Sequence, residues 1–298
     1  MQDVTNVAVA QAPALLSPVP GLDVIRPRPE AAGQPAAPGV RISPQLDLIL
    51  FSGITPYPAD VDPWNPGEFR LPSEPAAQGA LTVDGLDRLL TAAGATWQHI
   101  VSNTSYVATG GDDGALRARM RPWSCGTSVR VAEVGIPGVS ALNEIVAAAP
   151  HTPLAARGYV PGIEPVLPRP GILLKDLPQA PAIRITSSVD LVYFPAVTAY
   201  PLDTDPWSAG AITPPADVAS QERLIEQNTE LLLRMAGITW RHVVQLKVTG
   251  EGASLQTLRA RFGDWRPCRT TRVVGTGIPG AKLVCELTAV ALTEERVD

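Results

Sequence analysis

Two stretches of this 298-residue chain are near-copies: ITPYPADVDPWNPG at 54–67 and VTAYPLDTDPWSAG at 197–210. Shifted by 143, residues 46–67 match 189–210 at 11 of 22 positions, including Asp47/Asp190, Phe51/Phe194, Tyr57/Tyr200, Asp62/Asp205, Trp64/Trp207 and Gly67/Gly210. Shifted by 142, residues 116–138 match 258–280 at 11 of 23. Chance would leave about one or two such agreements, so the chain is an internal duplication. Its period is far too long for a solenoid, and two whole domains in tandem follow. Prolines crowd and periodicity vanishes in APHTPLAARGYVPGIEPVLPRPG (149–171), which puts the cut near residue 150. The expected domains are 1–150, with a proline-rich start, and 151–298.

Each copy carries the same order of elements. LDLILFSGIT and VDLVYFPAVT are short apolar strands, followed by the duplicated loop. An amphipathic helix comes next, with Leu81, Leu86, Leu89, Leu90 and Ala93 as its buried face in the first copy. In the second copy the corresponding face is Leu224, Ile225, Asn228, Leu231, Leu232 and Met235. Gly94 and Gly237 terminate these helices. An alternating strand, a short second helix (GALRARM, LQTLRARF) and two strands flanking a GIPG turn complete each copy. The fold class is therefore α+β, each domain a mixed sheet with two helices on one face.

Composition narrows the function. The net charge of −5, without a lysine or arginine block, argues against a nucleic-acid partner. Three cysteines without Cys-x-x-Cys spacing form neither a disulfide framework nor a zinc site, and suit a reducing cytoplasm. The start of the chain lacks the pattern of a signal peptide, and no run of 18 apolar residues suggests a membrane span. Without clustered His, Cys and Asp no metal is expected, and without a phosphate loop or dinucleotide fingerprint no cofactor is expected.

The ordered set FSG (51–53), AQ (77–78), SQ…EQN (220–228), AAGATW (92–97), MAGITW (235–240), IPG (136–138 and 278–280), Glu144 and Glu286 resembles the Rid/YjgF family of reactive intermediate deaminases. The resemblance covers 40–149 and 180–292 and implies two chorismate mutase-like domains. It also implies ligand clefts between neighbouring domains, arranged as a homotrimer or a pseudo-oligomer within one chain. Family members hydrolyse enamines or imines of 2-oxo acids. An arginine in a Pro-x-Arg segment holds the carboxylate, and a glutamate on the last strand positions water. A guanidinium gives a carboxylate two parallel hydrogen bonds, and a carboxylate beside an imine carbon can orient or deprotonate water.

The copies differ where that chemistry is expected. PCRTTR places Arg269 in the Pro-x-Arg position, whereas the first copy has Thr127; Ser52 stands opposite Pro195. An alignment anchored on the IPG turn instead favours the shared Arg130 and Arg272, which a regular strand would place on the face opposite Arg269. The family's N-terminal tyrosine segment has no clear counterpart. Candidate catalytic residues are Glu286, Glu144 and Ser52; candidate substrate-binding residues are Arg269, Arg272, Arg130, Trp64 and Trp207. Trp97, Trp240, Trp123 and Trp265 read as core, and His99 and His242 as structural.

The leading expectation is a cofactor-independent enzyme acting on a small carboxylated reactive intermediate. Imine or enamine hydrolysis, a related acid/base rearrangement, or a cyclisation in secondary metabolism would fit. Chorismatases, which also combine Rid-like halves, are the precedent by resemblance for a different reaction on a carboxylated substrate. The contrary expectation is an inactive ligand-binding or regulatory protein. A ribonuclease, an activity also attached to the family, is disfavoured by the acidic charge.

Overall fold

In the computed structural model the described residues are 19–25, 39–120, 124–151, 160–208, 210, 212–250, 256–272 and 275–292. The first repeat supplies β1 (Leu22–Ile25), β2 (Gly39–Ile42), β3 (Leu46–Phe51), α1 (Pro75–Ala92), β4 (Ile100–Ala108), α2 (Gly114–Met120), β5 (Cys125–Val131) and β6 (Ala141–Pro150). The second supplies β7 (Ile163–Val166), β8 (Ala182–Ile185), β9 (Val189–Val197), α3 (Val218–Met235), β10 (Val243–Gly250), α4 (Gln256–Arg261), β11 (Cys268–Arg272) and β12 (Leu283–Leu292). One sheet runs β5-β4-β6-β3-β8-β7 and the other β11-β10-β12-β9. Both are mixed, with a parallel pair at β4–β5 and at β10–β11. Each sheet carries its two helices on one face: Val83, Leu86, Leu89 and Leu90 of α1 pack on Ile49, Phe51, Ile145 and Ala147.

The duplicated glutamine near the start of each long helix is the clamp of its fold. Gln78 donates to the carbonyls of Pro72 (2.7 Å) and Gly138 (2.8 Å) and accepts from the amide of Ser140 (2.8 Å). Gln221 does the same with Pro215 (2.7 Å), Gly280 (2.9 Å) and Lys282 (2.8 Å). The helix start, the preceding loop and the IPG turn are thereby locked together through one buried amide, each bond worth about 1 kcal/mol. The expected terminators hold, since Gly94 (φ 64°) and Gly237 (φ 69°) take the left-handed conformation that side chains resist. His99 and His242 cap short 3-10 turns, with Nδ1 accepting from the amides of Thr96 (3.0 Å) and Thr239 (3.2 Å).

Two expectations about packing are corrected. Leu231 (43% exposed) and Met235 (75%) of α3 face solvent, while Glu222, Thr229 and Leu233 are buried. Trp97 is only half-buried, its indole donating to Asp87 at 2.7 Å, whereas Trp240 and Trp265 are in the core. Trp123 lies outside the described residues.

The sheets do not divide where the sequence repeats. We propose residue 150 as the boundary of the duplicated unit, yet β7 and β8 beyond it complete the first sheet. β8 pairs antiparallel with β3, Ile49 opposite Arg184 and Phe51 opposite Ala182. A buried ion pair fixes the junction: Arg184 Nε donates to Asp47 Oδ2 at 2.8 Å, while its Nη atoms reach the carbonyls of Ala93 (2.9 Å) and Pro150. The first repeat's own hairpin, β1–β2, is a separate two-stranded sheet packed on Leu46, Val101 and Ala148. Across a groove of about 670 Å³, Leu48, Leu50 and Val146 look toward Leu191, Phe194 and Lys247 of the second sheet.

Candidate functional site

The repeats meet along β11, an edge strand of the second sheet. Its ladder with β10 runs without a register shift from Gln245/Cys268 to Thr249/Arg272. Paired neighbours share a face, so Arg269 lies with Leu246, on the side that packs Phe262 just beyond α4. Thr270 and Arg272 lie on the opposite face, toward the groove side of Lys247. The two arginine alignments name residues on opposite faces of this regular strand, and the first repeat reaches both faces.

On one face, Ser52 joins the repeats. Its hydroxyl donates to the carbonyl of Ala180 (2.5 Å) and accepts from the amide of Arg269 (2.9 Å). The Gly53 amide returns a bond to the Arg269 carbonyl (2.9 Å). The Ser52 hydroxyl thus bridges the backbones of Ala180 and Arg269. Above it sits the duplicated loop: Asp62 Oδ1 accepts from the amide of Trp64 (3.1 Å), and the ring lies 5.3 Å from the Arg269 guanidinium carbon. Tyr57, Trp64, Gln179, Arg269 and Thr270 line a small cavity of about 50 Å³. Nε of Arg269 is shut off from solvent without a hydrogen-bond partner, and no carboxylate of the described residues lies within 4.0 Å of its guanidinium. Burial holds its pKa below the ordinary arginine value; nearby Arg259 adds to this and Asp62 opposes it.

On the other face a polar cluster spans both repeats. Glu144 Oε2 accepts from Lys247 Nζ at 2.8 Å, and its Oε1 lies 3.5 Å from Arg272 Nε. Arg272 also donates to the Tyr106 hydroxyl (3.0 Å), lies 5.2 Å from that ring's centroid, and approaches Glu286 at 3.4 Å. Burial raises the Tyr106 pKa, with the Glu144 charge adding to it and Arg272 opposing, so its hydroxyl stays protonated. Sequence reading missed Lys247, Tyr106 and Gln179. The alternation VVQLKVT could have signalled Lys247, since it sets the lysine on the same face as Gln245.

Two candidates stand apart. Arg130, on the exposed β5, donates to the carbonyl of Gly111 (3.1 Å). Trp207 repeats the turn of Trp64, its amide bonded to Asp205 (3.1 Å), but is 68% exposed and lies over no arginine of the described residues. Burial pushes the thiols of Cys268 and Cys285 far up, which rules them out as thiolates at neutral pH. No group of metal-ligating side chains occurs among the described residues, and none of their helices is long and apolar enough to cross a membrane.

No protein-family model and no curated protein matches the chain. The solved structures similar to it are Rid/YjgF-type proteins. A Rid-family protein of unknown function, YyfB from Yersinia pestis, is 19% identical over 43% of this chain and 98% of its own, with a TM-score of 0.33. Rv2704 of the YjgF/YER057c/UK114 family from Mycobacterium tuberculosis is 24% identical over 40% and 88%, with a TM-score of 0.26. RidA from an Antarctic Psychrobacter is 14% identical over 35% and 86%, with a TM-score of 0.29. Each match spans about one repeat. The sequence duplication and the two mixed sheets agree with that span.

Proposed function

We propose that this chain is a cofactor-independent cytoplasmic enzyme that binds a small carboxylated reactive intermediate at the seam and hydrolyses its imine or enamine. One observation carries the reading: beside a cavity between the repeats, Arg269 presents a guanidinium with no carboxylate within 4.0 Å among the described residues. A carboxylate there would receive paired, charge-assisted bonds and neutralise a costly buried cation. Trp64 covers that guanidinium, so the ligand takes up its position as the loop carrying Trp64 moves aside. Hydrolysis adds the oxygen of water to the imine carbon; the nitrogen, gaining protons, leaves as ammonia and a carbonyl remains. Glu144 is the group for orienting that water. It stands two residues along β6 from the cavity-lining Leu142, roughly 7 Å away on the same face.

Arg269→Ala is expected to abolish ammonia release from freshly generated 2-imino acids while leaving the melting temperature of the free protein nearly unchanged. Unaltered turnover would overturn the site assignment. A second reading, ligand binding without turnover, draws support from Glu144 being already held by Lys247 and Arg272. It requires that 2-oxo acids raise the melting temperature while no product forms.

We also propose self-association through the same seam. The first repeat offers Ser52, Trp64 and Glu144; the second receives them with β11 and Arg272. Each repeat also carries the complementary half: Trp207 and Glu286, which touches Arg272, on the second; β5 and Arg130 on the first. Such a head-to-tail interface repeats from chain to chain.

A further inference from the structure

The two repeats differ in charge at one corner, where the second helix of each packs beside its parallel edge strand. In the first repeat Arg117 of α2 pairs with Asp113 at 2.9 Å. The shift of 142 puts Arg259 in place of Arg117 and Leu255 in place of Asp113. It also replaces Ser124 with Arg266 and Thr127 with Arg269. Two uncharged positions of the first repeat are thus arginines in the second and its paired aspartate is a leucine, although Arg121 is matched by Gly263 and Pro122 by Asp264.

Arg259, Arg266 and Arg269 line one small pocket with Pro178 and Gln179. The cavity beneath Trp64 shares Pro178, Gln179 and Arg269, so the two spaces adjoin. Arg266 is tied to the carbonyls of Gly263, Trp265 (2.9 Å) and Lys175 (3.3 Å), which fixes a positive charge at the wall. The Arg259 side chain has no hydrogen-bond or ion-pair partner among the described residues, unlike that of Arg261 in the same helix, which pairs with Glu226 at 2.5 Å. The acid new to this corner, Asp264 for Pro122, is in no ion pair within 4.0 Å among the described residues. Mutually repelling cations facing a cavity are stabilised by a ligand that brings more than one negative charge.

We infer that the ligand of the seam is a dicarboxylate of the 2-oxo or 2-imino acid class, with one carboxylate on Arg269 and the other on Arg259. The inference rests on Arg269 being the carboxylate anchor. A monocarboxylate satisfies only one of the two guanidinium groups. A charge-assisted contact is worth enough to make a dicarboxylate bind about tenfold to a hundredfold tighter.

The test is calorimetric titration with 2-oxoglutarate and 2-oxobutyrate. Wild type is expected to prefer 2-oxoglutarate by at least about tenfold. Arg259→Gln is expected to bind both acids alike, at the affinity wild type shows for 2-oxobutyrate; Arg269→Ala should bind neither. Arg259 is exposed, so its loss should leave the melting temperature in place. Equal affinities in wild type, or a preference surviving in Arg259→Gln, would overturn the inference while leaving the anchor intact. Undiminished binding of both acids by Arg269→Ala would overturn the anchor itself.

Discussion

Replacing Arg184 by methionine removes the one cation buried with Asp47, which is wholly shielded from solvent. The change also strips two carbonyls, of Ala93 and Pro150, of their shared donor. Methionine fills much of the same space, so packing alone costs little. Breaking a buried pair on one side typically costs about 3–5 kcal/mol. His151, 3.0 Å from the other carboxylate oxygen, keeps its hydrogen bond to Asp47, which places the expected loss near the lower end, about 3 kcal/mol. With a urea dependence of about 3 kcal/mol per molar for a chain of this size, the midpoint should fall by about 1 M. Urea unfolding followed by tryptophan emission and by far-ultraviolet circular dichroism measures this. Both signals should shift together, because the pair joins β3 to β8. The Asp47→Leu/Arg184→Met double variant should recover most of the loss, since an apolar pair leaves no buried charge unpaired. A single variant whose midpoint stays within about 0.3 M of wild type would refute the reasoning.

Other perturbations probe the seam and its surroundings. Charge reversal at either Arg130→Glu or Glu286→Arg should lower the assembled mass in light scattering, and the pair together should restore it; insensitive mass would sink the head-to-tail interface. Binding of a 2-oxo acid should change tryptophan emission in wild type, and the change should vanish in Trp64→Phe if that ring leaves Arg269. Burial, with the nearby Arg184 charge, holds the His99 pKa below 6.5 in the folded chain. The unfolded chain therefore takes up the proton first, and stability should decline as pH falls from about 6.5 through the lowered folded value. His99→Asn should flatten that limb, measured as melting temperature against pH.

Much of this architecture could be read from letters because duplication tests each assignment twice. Glutamine, alanine-glycine and IPG recur together, and Gln78 and Gln221 join them physically. The face of α3 misled because buried does not mean apolar. Glu222 is covered yet satisfied, its carboxylate accepting from the amides of Thr257 (3.0 Å) and Leu258 (3.4 Å) at the start of α4. The apolar Leu231 and Met235 consequently point outward. Pairing of β8 with β3 was equally hidden. GVRI and AIRI have the same pattern, and each precedes a strand beginning with an aspartate at its second position. Nothing local says which arginine finds which aspartate. The site was half legible: Arg269 followed from Pro-x-Arg, but Ser52 and Trp64 beside it come from the other repeat, and only tertiary folding brings them near.

The crossing of β8 into the first sheet has a consequence for how such a chain came to differ from itself. Identical subunits must tolerate every substitution at all of their equivalent clefts at once. Here the second copy's hairpin borders the first copy's core, so the halves became mutually obligate and could no longer be exchanged for one another. From that point a threonine at 127 and an arginine at 269 were separate inheritances. One corner holds Arg259, Arg266 and Arg269, while its counterpart pairs Arg117 with Asp113.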